Sequence, residues 1–279
     1  MERIKQAVEK SRSLRQGQAP VTAAAVSRKA ESQVPPVGPG AFVADAVIQY
    51  VQTPVVELDP VQLERERIVA HQKTHPASWA FDVLRTQILQ KMDQNGWRTI
   101  AVTSPTMESG KTVVSVNLAI GIAQQTNRTS LLVDFDLRRP RVAKLLGLRA
   151  DVSLNQVLTG GASVEQAMVN PGFPRLVVLP TQNPMAGSAE LLGSSKVEAL
   201  VSELRDRYAD RVVVIDLPPV LAADDVMAIL PRVDCVLMVV GNGTSTRKEV
   251  EEAMNRLSKS QLLGVVLNKD DAPTGSAYY

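Results

Sequence analysis

The chain is short of several things at once. Its 279 residues include one cysteine, Cys235, and two histidines, His71 and His75, and aromatic residues make up only 4%. A lone thiol can form neither an intramolecular disulfide nor a multi-thiolate metal site, so a reducing compartment is expected. Two histidines, both outside the best-patterned region, exclude a histidine-rich metal centre. No apolar run reaches the ~18 residues that a membrane-spanning helix needs. The first residues carry no signal-peptide core, and a cytoplasmic location is expected. An excess of one charge is also missing: 31 Lys and Arg against 29 Asp and Glu leave +2. That balance argues against a nucleic-acid binder with a wholly basic surface.

What is present is enough apolar residue, 44%, to build a core. The length allows one domain with long extensions or two small ones. Seven basic groups (Arg3, Lys5, Lys10, Arg12, Arg15, Arg28, Lys29) face only Glu2 and Glu9 in the first thirty residues. Met1, Ile4 and Val8 fall at helical spacing, but a solvated arm is the simpler expectation for residues 1–16. Residues 16–60 hold six of the seventeen prolines, a composition that cannot offset its ordering entropy and reads as a tether. Residues 1–75 are therefore expected to be a largely disordered arm and tether, with order beginning near Ser78.

From there strands and helices alternate. Strands are expected at 99–103, 130–134, 176–179, 211–215, 235–240 and 262–267. Helices are expected at 78–93, 112–125, 140–146, 190–208, 222–230 and 247–257, with short turns at 153–158 and 164–168. The strands are continuous Val, Leu and Ile runs, as when both sheet faces are covered. The expected fold is α/β: a mostly parallel, P-loop NTPase-type sheet flanked by helices, spanning 76–272, with a disordered N-terminal extension and a flexible tail at 273–279.

The first strand leads into Ser104-Pro105-Thr106-Met107-Glu108-Ser109-Gly110-Lys111-Thr112 and then an apolar helix. Gly-Lys-Thr at such a junction presents backbone N–H groups, a lysine and a magnesium-ligating hydroxyl to phosphates. The next strand ends in Asp134-Phe135-Asp136-Leu137-Arg138-Arg139-Pro140, and a later one in Asp216-Leu217-Pro218-Pro219. Ligands of open α/β sheets bind beyond the carboxyl ends of the strands, so the three motifs converge on one edge. Thr112, Asp134, Asp136 and Asp216 are the expected Mg²⁺ ligands around a triphosphate.

These residues resemble the bacterial tyrosine kinases of exopolysaccharide and capsule synthesis over about Ala80–Lys269. The resemblance takes Ser104–Thr112 as Walker A, Leu131–Pro140 as Walker A′ and Val212–Pro219 as Walker B. The N-terminal Met-Glu-Arg-Ile-Lys-Gln and the paired terminal tyrosines look most like the exosortase-associated subgroup. Membership implies an ATP- and Mg²⁺-dependent protein-tyrosine autokinase. Glu108, Ser109, Gly110, Lys111, Thr112, Val113 and Asn268 would hold ATP. Lys111, Asp134, Asp136 and Asp216 would be catalytic, with one of the first two aspartates as base. Tyr278 and Tyr279, on a Pro-Thr-Gly-Ser-Ala leash, would accept phosphate in trans between copies of a homo-oligomer. A separately encoded membrane polysaccharide co-polymerase would activate the chain and hold it at the inner membrane. Glu108 stands where the family carries glycine, and Trp79, Asp82 and Arg85 stand where it carries the Glu-x-x-Arg-x-x-Arg docking motif.

Three rival readings share these residues. A ParA/MinD-type ATPase would carry a lysine near Thr106, and none precedes Lys111 in the loop. A GTPase would use Asn268-Lys269-Asp270-Asp271, yet Asp-x-x-Gly is missing after Asp216. A weakened nucleotide-binding regulator would explain Glu108. Cys235, Trp79 and Trp97 read as packing residues. Arg138 and Arg139 can cap, contact phosphate or meet another subunit, and the sequence does not choose.

Overall fold

The computed structural model describes residues 53–125 and 127–270. The expected basic arm and the tyrosine tail lie outside them. Six strands form one sheet: β1 (Thr99–Thr103), β2 (Thr129–Asp134), β3 (Leu176–Leu179), β4 (Arg211–Asp216), β5 (Cys235–Gly241) and β6 (Leu262–Asn268). Their spatial order is β3-β2-β4-β1-β5-β6, and every pairing is parallel.

The continuous apolar runs are explained by burial on both faces. Val212 and Val214 of β4 join one core layer with Ile100 and Val102 of β1. Val213 and Ile215 point into the opposite layer, with Ala101. Helices cover both sides: α1 (Pro60–Arg65), α2 (Ser78–Asn95), α3 (Lys111–Ala123), α4 (Val142–Leu146), α5 (Leu154–Thr159), α6 (Val164–Ala167), α7 (Ser188–Leu192), α8 (Ser195–Asp206), α9 (Asp225–Ile229) and α10 (Arg247–Arg256). Helix α3, which follows the phosphate-loop motif, is buried on nearly every side. A helix that is apolar all round belongs in an interior, and this one sits between the sheet and α2.

Three expectations need correction. Residues 53–75 are folded, not an unstructured tether. Val56 N donates to Asn170 O (2.8 Å) and Asn170 N to Pro54 O (2.9 Å), Asp59 caps α1, and Leu63, Ile68, Val69 and Ala70 are buried. The reason is tertiary. Asn117, wholly buried on α3, accepts from Val69 N (2.8 Å) and Ala70 N (2.9 Å) and donates to Arg67 O (3.0 Å). The helix expected over 190–208 is in fact two, because Gly193 ends α7 and Ser194 caps α8 by accepting from Val197 N. The helix expected over 222–230 is likewise short, passing at Pro231 into a 3₁₀ turn.

Candidate active site

The loop between β1 and α3 is shaped by two residues in left-handed backbone, Glu108 (φ 63°) and Gly110 (φ 84°). Gly110 has no alternative: a Cβ there would lie 2.2 Å from Asn268 Nδ2, which donates to Ser109 O at 2.9 Å. Glu108 is exposed, so its carboxylate faces away from the loop's interior. Ser109 is buried, and Val113 packs against the core in the first turn of α3. Thr106 Oγ1 and Ser245 Oγ, 2.7 Å apart, fasten the loop to the segment after β5.

Lys111 begins α3 with its side chain only 10% exposed, between two carboxylates. Nζ lies 2.9 Å from Asp136 Oδ2 and 3.3 Å from Asp216 Oδ2. Thr112 Oγ1 donates to that same Asp216 oxygen at 2.8 Å. Burial alone would push the Lys111 ammonium down, but Asp216 and Asp136 outweigh it and hold its pKa above the ordinary value. Asp216 is raised by burial, against the pull of Lys111 and Thr112. These are strong interactions because the surrounding dielectric is low.

Asp134 does something different from what its motif position implies. It is wholly buried, and both carboxylate oxygens accept backbone N–H groups: Oδ1 from Asp136 (3.2 Å), Oδ2 from Arg141 (3.1 Å) and Val142 (3.0 Å). Burial, then repulsion from Asp216, pushes its pKa well above the carboxylate range. It organises the loop that carries Asp136 and the entry to α4. Asn268, expected to help hold ATP, donates to the phosphate loop at Ser109 O (2.9 Å).

Among the described residues no three acidic, histidine or cysteine side chains converge as a metal cage. The four-ligand set expected from the sequence is therefore not a preformed site. The hydroxyl of Thr112 and the carboxylates of Asp216 and Asp136 are oxygen donors only, too few to enclose an ion. That fits Mg²⁺, which is ordinarily held by one or two protein groups together with phosphate oxygens and water.

Sequence reasoning missed Ser115. Its Oγ lies 2.9 Å from Asp216 Oδ1 and 3.0 Å from Lys111 O, one helical turn beyond Lys111 on the same face. That i, i+4 spacing was the available signal. Trp79 is 68% exposed and so is not a packing residue, whereas Trp97 does pack on the core. Arg85 pairs with Asp82 in its own helix at 2.6 Å. Cys235 is buried, and burial raises its thiol to about 12, as expected of an inert core residue.

A family model, AAA_31, described as an AAA domain, matches residues 97–263. The chain belongs to this family. It is also similar to bacterial tyrosine kinases. Tyrosine-protein kinase ptk of Acinetobacter johnsonii is 29% identical over 236 residues, 80% of this chain but 32% of that protein. Tyrosine-protein kinase YwqD of Bacillus subtilis is 29% identical over 219 residues, covering 78% of this chain and 91% of that one. The chain thus spans about a third of ptk and most of YwqD. The kinase domain of the Escherichia coli tyrosine kinase ETK superposes with a TM-score of 0.68 at 28% identity, covering 76% of this chain and 84% of that one. The AAA_31 match and the P-loop fold support nucleotide and Mg²⁺ use in general. No helix among the described residues is long and apolar enough to cross a membrane.

Proposed function

We propose that this AAA_31 protein is an ATP-dependent protein-tyrosine autokinase acting on Tyr278 and Tyr279, in trans between copies. One observation carries the reading: Lys111, Thr112, Asp136 and Asp216 meet in a buried cluster at the carboxyl end of a parallel sheet. The resemblance to proteins named tyrosine-protein kinases supplies the acceptor chemistry.

Lys111 exchanges its carboxylate partners for phosphate oxygens of ATP. The free N–H groups at the start of α3 face the same phosphates. Thr112 and Asp216, joined at 2.8 Å, would hold Mg²⁺, which would neutralise phosphate charge when bound. Asp136, released from Lys111, accepts the proton of the tyrosine hydroxyl as its oxygen bonds to the γ-phosphorus. The bond to the β-phosphate oxygen breaks and ADP leaves with the electron pair. In phosphoryl transfer such positioning and electrostatic work is most of the catalysis. Polysaccharide export, with a membrane co-polymerase as activator, is the setting in which we place the reaction.

Incubating the protein with γ-labelled ATP tests this. Wild type is expected to label its own tail, and Tyr278→Phe/Tyr279→Phe to lose the label. Phosphate release without labelled protein would instead support an ATPase of the ParA/MinD kind.

A further inference from the structure

Two arginines follow Asp136, and the site as described uses neither guanidinium. Arg139 gives its backbone N–H to Asp136 Oδ1 (3.0 Å), while its Nη1 lies 2.9 Å from Met107 Sδ. Arg138 turns elsewhere. Its Nε and Nη2 donate to Asp225 Oδ1 at 3.0 and 2.8 Å, and Nη2 meets Asp224 Oδ1 at 3.1 Å. Asp225 is wholly buried, and its Oδ2 has no hydrogen-bond partner. Removing Arg138 would strand that carboxylate, which separates this pair from an ordinary surface ion pair.

The partner's location gives the pair its meaning. Asp225 opens α9, which follows the segment leaving Asp216. That segment is stitched to the end of β1 and the start of the phosphate loop. Leu217 N donates to Val102 O (3.0 Å), Val220 N to Ser104 O (2.8 Å) and Leu221 N to Pro105 O (3.3 Å). The loop carrying Asp136 is fixed at its ends by Asp134, and toward β3 by Met185 N donating to Leu137 O at 2.8 Å. Arg138 is its side-chain link to the segment leaving Asp216.

We infer that Arg138 is a positioning residue: through Asp225 it braces the loop bearing Asp136 against the segment leaving Asp216. This rests on the kinase reading, in which Asp136 must meet the tyrosine hydroxyl once Lys111 turns to phosphate. A displacement of about 1 Å at such a group is enough to cost up to a hundredfold in rate.

The test compares wild type with Arg138→Ala, Arg138→Lys and the double variant Arg138→Ala/Asp225→Asn. Melting temperature, Mg·ATP binding, kcat and KM for autophosphorylation, and amide exchange of residues 135–141 are followed. Arg138→Ala is expected to lose tenfold or more in kcat with Mg·ATP affinity kept within about twofold, and to exchange faster at 135–141. Arg138→Lys, which keeps the charge, should recover part of kcat. The double variant removes both charges and should regain melting temperature while kcat stays low. If the double variant recovers kcat along with stability, or if exchange at 135–141 does not change in Arg138→Ala, the bracing role is wrong. Absence of any phosphoryl transfer by wild type would defeat the kinase reading alone, because the exchange measurement still decides the brace.

Discussion

At the scale of single residues, Glu108 and Lys111 make opposed contributions. Glu108 adopts a left-handed backbone that costs a side-chain-bearing residue on the order of 1 kcal/mol, and it brings negative charge near a site for a polyanion. Glu108→Gly relieves the strain, which should raise stability, and removes the charge, so it is expected to bind Mg·ATP several-fold more tightly by calorimetry. Equal or weaker binding would contradict that. Lys111 is the counter-charge for two buried carboxylates, and Lys111→Ala should cost about 3 kcal/mol of stability at neutral pH, read from denaturant midpoints. The cost has a definite pH dependence. Asp216 already titrates above its ordinary value in the folded state, so its contribution to stability is fullest below the ordinary carboxylate pKa and declines as pH rises through the folded one. Loss of Lys111 raises that folded pKa further and deepens the decline. The variant should therefore lose more stability than wild type as pH rises above the ordinary carboxylate pKa. A parallel pH profile for the two proteins would show that Lys111 does not compensate the pair.

At the scale of elements, the segment 53–75 is a strap over the helix that carries Lys111 and Thr112. Asn117 holds it with buried hydrogen bonds to Val69, Ala70 and Arg67. Asn117→Ala leaves those backbone groups unpaired and is expected to destabilise the protein by roughly 2–4 kcal/mol in urea unfolding. An unchanged midpoint would mean that the strap is not part of the cooperative unit. This strap was the least legible element in the sequence. Its apolar residues, Val56, Leu58, Leu63, Ile68 and Val69, follow neither a helical nor a strand period, because their partners are chosen by α3 and by Asn170 and not by local repetition. The six strands were legible for the opposite reason. Burial on both faces writes itself as uninterrupted runs such as Val212–Ile215. The break between α7 and α8 was also readable in principle, since Gly193-Ser194 combines a helix stop with an N-cap.

At the scale of the whole molecule, the sheet order places the ends of β1, β2 and β4 side by side, and the site is the consequence. Lys111, Thr112, Asp136 and Asp216 could be assembled from motifs because each motif ends a strand, and parallel strands share one carboxyl edge. The loop-organising role of Asp134 and the Arg138–Asp225 pair could not, since their partners depend on loop paths. The membership in AAA_31 and the similarity to tyrosine kinases agree with this geometry. The narrower exosortase-associated subgroup rests on terminal residues outside the described part of the chain. The most direct measurement is a calorimetric titration of Mg·ATP into wild type and into Lys111→Ala. Saturable binding by wild type that is lost in the variant is the predicted result. A wild-type protein that gives no binding heat would contradict the claim that this buried lysine and its carboxylates form a nucleotide site.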